Sequence, residues 1–346
     1  MIKPGLLMIS SGFVASRRSY RGMCQELADR LDESGYRVIT SSRTGRAIRP
    51  FDMLYTVWRY RHRYEVVLVD VFSGWAFLWA EAVCRLLDRL EKSCILVLRG
   101  GNLPAFAAKH PTRVRSLFQL TDRITTPSSY LQDQLKPYSQ HIEMIPNALD
   151  LKDYPFTLRD SPGPRLVWLR ALHRVYNPAL AVRVTAMLRN EFPAINLTLI
   201  GPDKRDGSRV ELLRLIAELG ITDRVELPGG VPKSEVPVWL NRGDIFLNTT
   251  TIDNTPVSVL EAQACGLCVA STDVGGIPYL LEDEHDALLV PSGDPEALQA
   301  AIRRVLTEPG LAAALSQNAR RKVEKLDWPV VLPQWETLID EVAARK

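Results

Sequence analysis

Short apolar runs separated by helix-patterned stretches recur along the whole chain, and they restrict it to one kind of architecture. In the first half the runs are GLLMIS, YRVITSS, EVVLVDV, CILVLRG and DRITTPS. In the second half they are RLVWLR, NLTLIG, VELPGG, DIFLNTT, LCVASTD and ALLVPS. Rich in Val, Ile and Leu and bounded by Gly, Pro, Ser or Asn, such runs suit parallel strands buried on both faces. Between them, stretches such as YRGMCQELADRLDESG and LAVRVTAMLRNEF place apolar residues at helical spacing, so the repeating unit is βαβ. The expected fold class is α/β, with two doubly wound, Rossmann-like domains.

The segment LDLKDYPFTLRDSPGP (149–164), rich in Pro and Asp, separates the two series. The expected division is 1–155, 156–326 and a last helix over 327–346, anchored by Trp328 and Trp335 and packing back towards the first domain. In open parallel sheets ligands bind outside the carboxyl ends of the strands, which points to an interdomain cleft as the place for chemistry.

At 346 residues and 46% hydrophobic composition the chain can bury two cores. The apolar run that follows Gly5 is too short for a signal peptide, and nowhere do ~18 apolar residues run together. A cytoplasmic location is therefore expected. Five scattered cysteines exclude a disulfide framework, and although Cys265 and Cys268 form a C-x-x-C, no second pair completes a metal site. The plain reading is two small buried hydrophobes.

Charge is uneven: residues 1–150 hold 21 Lys+Arg against 14 Asp+Glu, and the remainder 22 against 26. Arginines cluster in SRRSYR (16–21) and RYRHRY (59–64), which would attract an anionic acceptor or give peripheral contact with an anionic membrane surface at its inner face. A solvated helix face before the strand EVVLVDV is the simpler alternative. No nucleic-acid partner is expected.

The stretch TIDNTPVSVLE (251–261) sets two carboxylates, Asp253 and Glu261, eight positions apart. Thr255-Pro256 is a helix-start signal, with Thr as cap and Pro at the first helical position, and the helix is expected to run to about Ala264 and stop at Gly266. Asp253 then lies on a loop at a strand's carboxyl end, with the free N–H groups of Val257 and Ser258 between the two acids. Such a helix start can hold a diphosphate; Glu261 could accept from a ribose and Asp253 could reach an attached sugar. Acids near a helix start also simply complement its dipole, and the residues alone leave both readings open.

The longer segment DNTPVSVLEAQACGLCVASTDVGGIPYLL resembles the donor-site signature of retaining GT-B glycosyltransferases of family 4, the group 1 glycosyl transferases. SSGF (10–13), LRGGNLPAF (98–106), DRITTPSSYLQDQL (122–135), IPNALDL (145–151) and ALLVPSGDPEAL (287–298) resemble further family segments. The resemblance implies two Rossmann-like domains facing an interdomain cleft. It also implies transfer of a sugar, with retention, from a nucleotide diphosphate sugar bound by the second domain. UDP is the favoured nucleotide and GDP the next; neither metal nor cofactor is implied. The acceptor would be a glycan, lipid-linked or small-molecule hydroxyl, in cell-envelope or polysaccharide assembly.

Carried onto this sequence, the resemblance makes Asp253, Glu261 and Arg170 catalytic. It gives the nucleotide and phosphates to Gly12, Arg170, Arg174, Thr255, Pro256, Val257, Ser258 and Glu261. The donor sugar or acceptor falls to Arg99, Gly100, Asp253, Asn254, Gly275 and Gly276. Two departures stand out: Tyr176 occupies the place of a usual Lys, and Arg99 that of a usual His. They motivate an alternative, a nucleotide-sugar-binding or scaffold protein with impaired catalysis.

Overall fold

The computed structural model describes residues 3–10, 22–41 and 48–345, which form two compact units. Met1–Ala148 and Trp328–Lys346 make the first and Leu149–Asp327 the second. The division falls at Ala148/Leu149 rather than at 155/156. Leu149, Leu151 and Tyr154 are buried in a core of the second unit, and Asp327 accepts from the Leu151 N–H at 3.1 Å. What the sequence presents as a linker is therefore part of that unit's packing.

The first unit runs β1 (Gly5–Ile9), α1 (Met23–Glu33), β2 (Arg37–Thr40), α2 (Arg49–Arg59), β3 (Val66–Val71), α3 (Trp75–Arg89) and β4 (Ser93–Leu98). It continues with α4 (Leu103–Lys109), α5 (Pro111–Gln119), β5 (Arg123–Thr126), α6 (Ser129–Leu135) and β6 (Ile142–Met144). Its six strands are parallel, in the order β2-β1-β3-β4-β5-β6. Alternation along β1 sends Leu7 and Ile9 to one face, against Met53, Val57 and Phe77, and Leu6 and Met8 to the other, against Leu27 and Leu31. That second face is completed by Trp328, Trp335, Leu338, Ile339 and Val342 from the end of the chain.

The second unit comprises β7 (Arg165–Leu169), α7 (Pro178–Leu188), β8 (Asn196–Ile200), α8 (Ser208–Glu218), β9 (Val225–Gly229), α9 (Val236–Leu240) and β10 (Ile245–Asn248). It continues with α10 (Val257–Ala264), β11 (Cys268–Thr272), α11 (Ile277–Leu280), β12 (Leu288–Val290), α12 (Pro295–Thr307) and α13 (Leu311–Val323); α14 (Trp328–Ala343) is the returning helix. The strands are again parallel, ordered β12-β11-β10-β7-β8-β9. Strand order reverses between β7 and β10, the two strands whose carboxyl ends flank the switch point where such sheets take ligands.

Cys268 and Cys265 lie in cores on opposite faces of this sheet, so the C-x-x-C forms no common site. All five cysteines are buried thiols. Among the described residues no helix is long and apolar enough to cross a membrane.

A buried charge cluster closes the edge of the second sheet below β7 and β10. Asp244, 3% exposed at its side chain, accepts from Arg165 at 2.7 and 2.9 Å and from the Gly163 N–H at 3.0 Å. It also stands 3.1 Å from the guanidinium of Arg159, whose side chain is 5% exposed. Removing the carboxylate leaves a buried guanidinium without its counter-charge, so Asp244→Ala is expected to cost about 3–5 kcal/mol in urea unfolding.

Burial raises the Cys24, Cys265 and Cys268 thiols from 9.0 to about 12. The native protein should therefore resist alkylation at pH 8–9, with all five thiols reacting once it is unfolded. The unfolded chain releases these protons from about pH 9 and the folded chain only near pH 12. Above pH 9 the unfolded state thus binds fewer protons, and stability should fall across that window.

Candidate functional site

At the switch point of the second unit, β7 hands the chain to Arg170 and β10 hands it to the loop 249–256 and α10. Three consecutive threonines set this loop. Thr249 accepts from the Trp168 indole N–H at 3.0 Å and donates to the carbonyls of Tyr176 and Asn177 at 2.9 and 2.8 Å. Thr250 donates to the Ile252 carbonyl at 2.9 Å, and the Thr251 N–H to the Val175 carbonyl at 2.8 Å. The loops after β7 and β10 are thereby tied into one rim.

On that rim Arg170 and Asp253 form an ion pair, and the Arg170 guanidinium lies 4.6 Å from the centre of the Tyr176 ring. Tyr176, in place of a usual lysine, thus supplies a flat surface rather than a second cation. Gly201 makes room for this arrangement: at φ +150° its Cβ position lies 1.7 Å from the Arg170 carbonyl oxygen. Arg174, expected at the phosphates, instead turns outward, where its 65% exposed side chain donates to Glu211 at 2.6 Å. Its place on a short 3-10 turn, over residues 174–176, aims it at α8.

Helix α10 begins one residue later than expected. Pro256 is its N-cap, in extended conformation, and no side chain caps it, so Thr255 does not fill the role assigned to it. Val257 and Ser258 are the first helical residues, and their N–H groups are among those no helix can satisfy internally. Beside them Asn254 Oδ1 and Ser258 Oγ are buried without a hydrogen-bond partner in the protein. Two such atoms stand at one helix start, each left unsatisfied at a cost of about 1–3 kcal/mol.

Gly275 and Gly276 serve the loop that carries Asp253. A Cβ on Gly275, at φ +57°, would lie 2.3 Å from the Asp253 carbonyl oxygen, and one on Gly276 2.1 Å from that of Asn254. The Gly276 N–H donates to the Asp253 carbonyl at 3.0 Å. The glycine pair therefore fixes Asp253 and Asn254 from below, a role sequence reasoning did not separate from contact with a sugar.

Glu261, on the third helical position after Ser258, is buried. Its Oε1 accepts from the Tyr154 hydroxyl at 2.8 Å and forms an ion pair with Lys233. Sequence reasoning missed both partners: Tyr154 lay in the apparent linker, and Lys233, in the loop after β9, reads as an ordinary surface lysine. Among the described residues no cluster of three His, Cys, Asp or Glu side chains could hold a metal ion.

In the first unit, Arg99 follows β4 and its side chain is 13% exposed. Its Nε donates to Asp70 at 2.7 Å and its Nη1 to Asn147 at 3.3 Å. Burial disfavours the charged guanidinium, but Asp70 and the Cys24 thiol beside it more than offset this, so Arg99 is held firmly protonated. Expected at the donor sugar or acceptor, Arg99 has its Nε–H and one Nη1–H engaged by the protein. Gly100 packs on the end of β3, its Cβ position 3.3 Å from Phe72 Cα. Gly12 lies outside the described residues.

The two-unit α/β architecture is that of the GT-B fold, as solved structures show. Over 99% of this chain and 100% of the other, the structure superposes on a sucrose-phosphate synthase from Thermosynechococcus elongatus with a TM-score of 0.81 at 17% identity. HepE from Anabaena, in complex with UDP and glucose, matches over 98% and 100% with a TM-score of 0.76 at 15% identity. Residues 155–322 match the family Glycosyl transferases group 1.

Among curated relatives, one component of the phosphatidylinositol N-acetylglucosaminyltransferase of Arabidopsis thaliana is 31% identical over 57% of this chain and 43% of its own length. A D-inositol 3-phosphate glycosyltransferase from Salinispora tropica is 31% identical over 44% and 33%. The matched stretch thus spans less than half the length of these relatives.

The Glu261–Lys233 pair has a direct test. Lys233→Met strands a buried carboxylate and should cost about 2–4 kcal/mol in urea unfolding. Glu261→Gln in the same chain should restore most of it, because the charge left unpaired is gone.

Proposed function

We propose that this protein transfers a sugar from a nucleotide diphosphate sugar to an acceptor hydroxyl with retention of configuration. The carrying observation is the start of α10, where Asn254 Oδ1 and Ser258 Oγ are buried without partners beside the free Val257 and Ser258 N–H groups. The diphosphate docks there, its charge met by the helix donors and by Arg170, and the proposal assigns no resident cofactor or metal. Glu261 accepts from the ribose. Asp253, paired to Arg170 on the same rim, receives hydroxyls of the sugar and offsets positive charge developing at the anomeric carbon.

In the proposed step the bond from the anomeric carbon to the phosphate oxygen breaks while the bond to the acceptor oxygen forms on the same face. The departing phosphate oxygen takes the acceptor's proton, so no protein base is needed. The acceptor, a glycan, lipid-linked or other hydroxyl compound, is assigned to the first unit near Arg99 and Gly100. UDP is the favoured nucleotide, followed by GDP, and the reaction is placed in the cytoplasm in cell-envelope or polysaccharide assembly. The two curated relatives, both sugar transferases by name, support the reaction class, and the complex of HepE with UDP and glucose supports UDP.

Calorimetry against UDP, GDP, ADP and their sugar conjugates tests the reading. One nucleotide should bind at micromolar affinity, roughly the range of 8 kcal/mol. Glu261→Ala should weaken it at least ~10-fold, since a hydrogen bond to a charged group is worth about 1.5–3 kcal/mol. Asp253→Ala should slow release of the nucleotide from its sugar conjugate ~100-fold or more while nucleotide affinity changes little. Binding of none by the folded protein sinks the proposal; binding without transfer to any acceptor turns it to a scaffold.

A further inference from the structure

Helix α2 is apolar on two opposite faces, which an edge helix of a water-exposed domain does not need. Pro50, Met53, Thr56 and Val57 are buried against the sheet. On the far side stand Phe51, Tyr55 and Trp58, spaced four and three apart and 69%, 58% and 52% exposed, with Ile48 continuing the stripe at 55%. Three large aromatics on one exposed helical stripe form a contiguous apolar patch rather than scattered surface residues.

Asp52 lies in the first turn, and beyond the stripe the charge is positive. Arg59, Arg61 and Arg63 follow within five residues, and each guanidinium lies near an aromatic ring: Arg59 and Arg63 are 5.7 and 5.9 Å from Tyr60, and Arg61 is 4.7 Å from Trp58. Arg61 also donates to the Trp58 carbonyl at 2.9 Å, which holds the cation at the edge of the patch. Aromatic rings that present an apolar body, with arginines at their rim, match the boundary between acyl chains and anionic headgroups.

Next to the stripe a cavity of about 350 Å³ opens between α2 and α3, lined by Pro50, Met53, Phe72, Trp75 and Trp79, and it extends the apolar surface inward as far as Asp70.

We propose that the outer face of α2, with Arg59, Arg61 and Arg63, docks the protein on an anionic lipid bilayer. The aromatics enter the interfacial layer and the arginines pair with headgroup phosphates. A second copy fits less well: a two-fold contact through this patch would set the same arginines against each other. The proposal stands on the surface of the first unit and does not depend on the transfer reaction.

Co-sedimentation of the full chain with vesicles tests it. Vesicles of phosphatidylcholine with roughly 30% phosphatidylglycerol should bind the protein, pure phosphatidylcholine at least ~10-fold less, and about 0.5 M salt should release most of it. Phe51→Ser/Trp58→Ser should weaken binding at least ~10-fold at any salt, and Arg61→Glu/Arg63→Glu should abolish the preference for anionic lipid. All four substituted positions lie at the surface or its edge, and circular dichroism with unchanged urea unfolding reports that the variants remain folded. Absence of binding to the anionic vesicles overturns the proposal, as does binding indifferent to Phe51→Ser/Trp58→Ser. Loss of a dimer in that variant, with no vesicle binding by the parent, overturns it in favour of self-association.

Discussion

A parallel sheet has no face it can leave to water, and the rest of this structure depends on meeting that demand twice. Each strand must be followed by a helix that crosses back over one face, so all carboxyl ends gather at one edge of the sheet. In the second unit the crossovers change sides between β7 and β10, which opens the edge there. Arg170 and the loop to α10 leave from those two strands, so the site residues, far apart in sequence, meet because of topology before any specific contact forms.

Specific contacts then hold what topology brings together. The threonine hydroxyls bind one loop to the other, and the two glycines let a third loop press against the backbone of Asp253 and Asn254. Charges are balanced in pairs: Arg170 with Asp253, Lys233 with Glu261, Arg99 with Asp70. Asn254 Oδ1 and Ser258 Oγ, by contrast, are buried with no partner in the protein.

Much of this was legible in the sequence, and the failures have physical causes. The strands of the second unit announce themselves as Val, Ile and Leu runs, most of them because both faces are buried; β9, at the sheet edge, is only partly covered. β6 of the first unit escaped, being three residues at a sheet edge with only Ile142 buried. The place of α10 was readable from Pro256, but not which residue caps it, since a Thr-Pro pair fits two registers. Pairing over long separations was not readable at all: Tyr154 reaches Glu261 across 107 positions, and Asp70 reaches Arg99 from a neighbouring strand. Arginines written into the sequence as ligand contacts can as well be neutralised by the protein, and only packing distinguishes the two.

The first unit is closed by α14, which comes after the whole of the second unit in sequence. Trp328, Trp335, Leu338 and Ile339 cover the face that Leu6, Met8, Val66 and Leu68 present, so a nascent chain halted at Asp327 has a finished second unit and a first unit with one side of its sheet bare. Order of synthesis and order of completion are therefore inverted in this molecule. The half made first waits longest for its cover, and it is there that a chaperone would find apolar surface to hold.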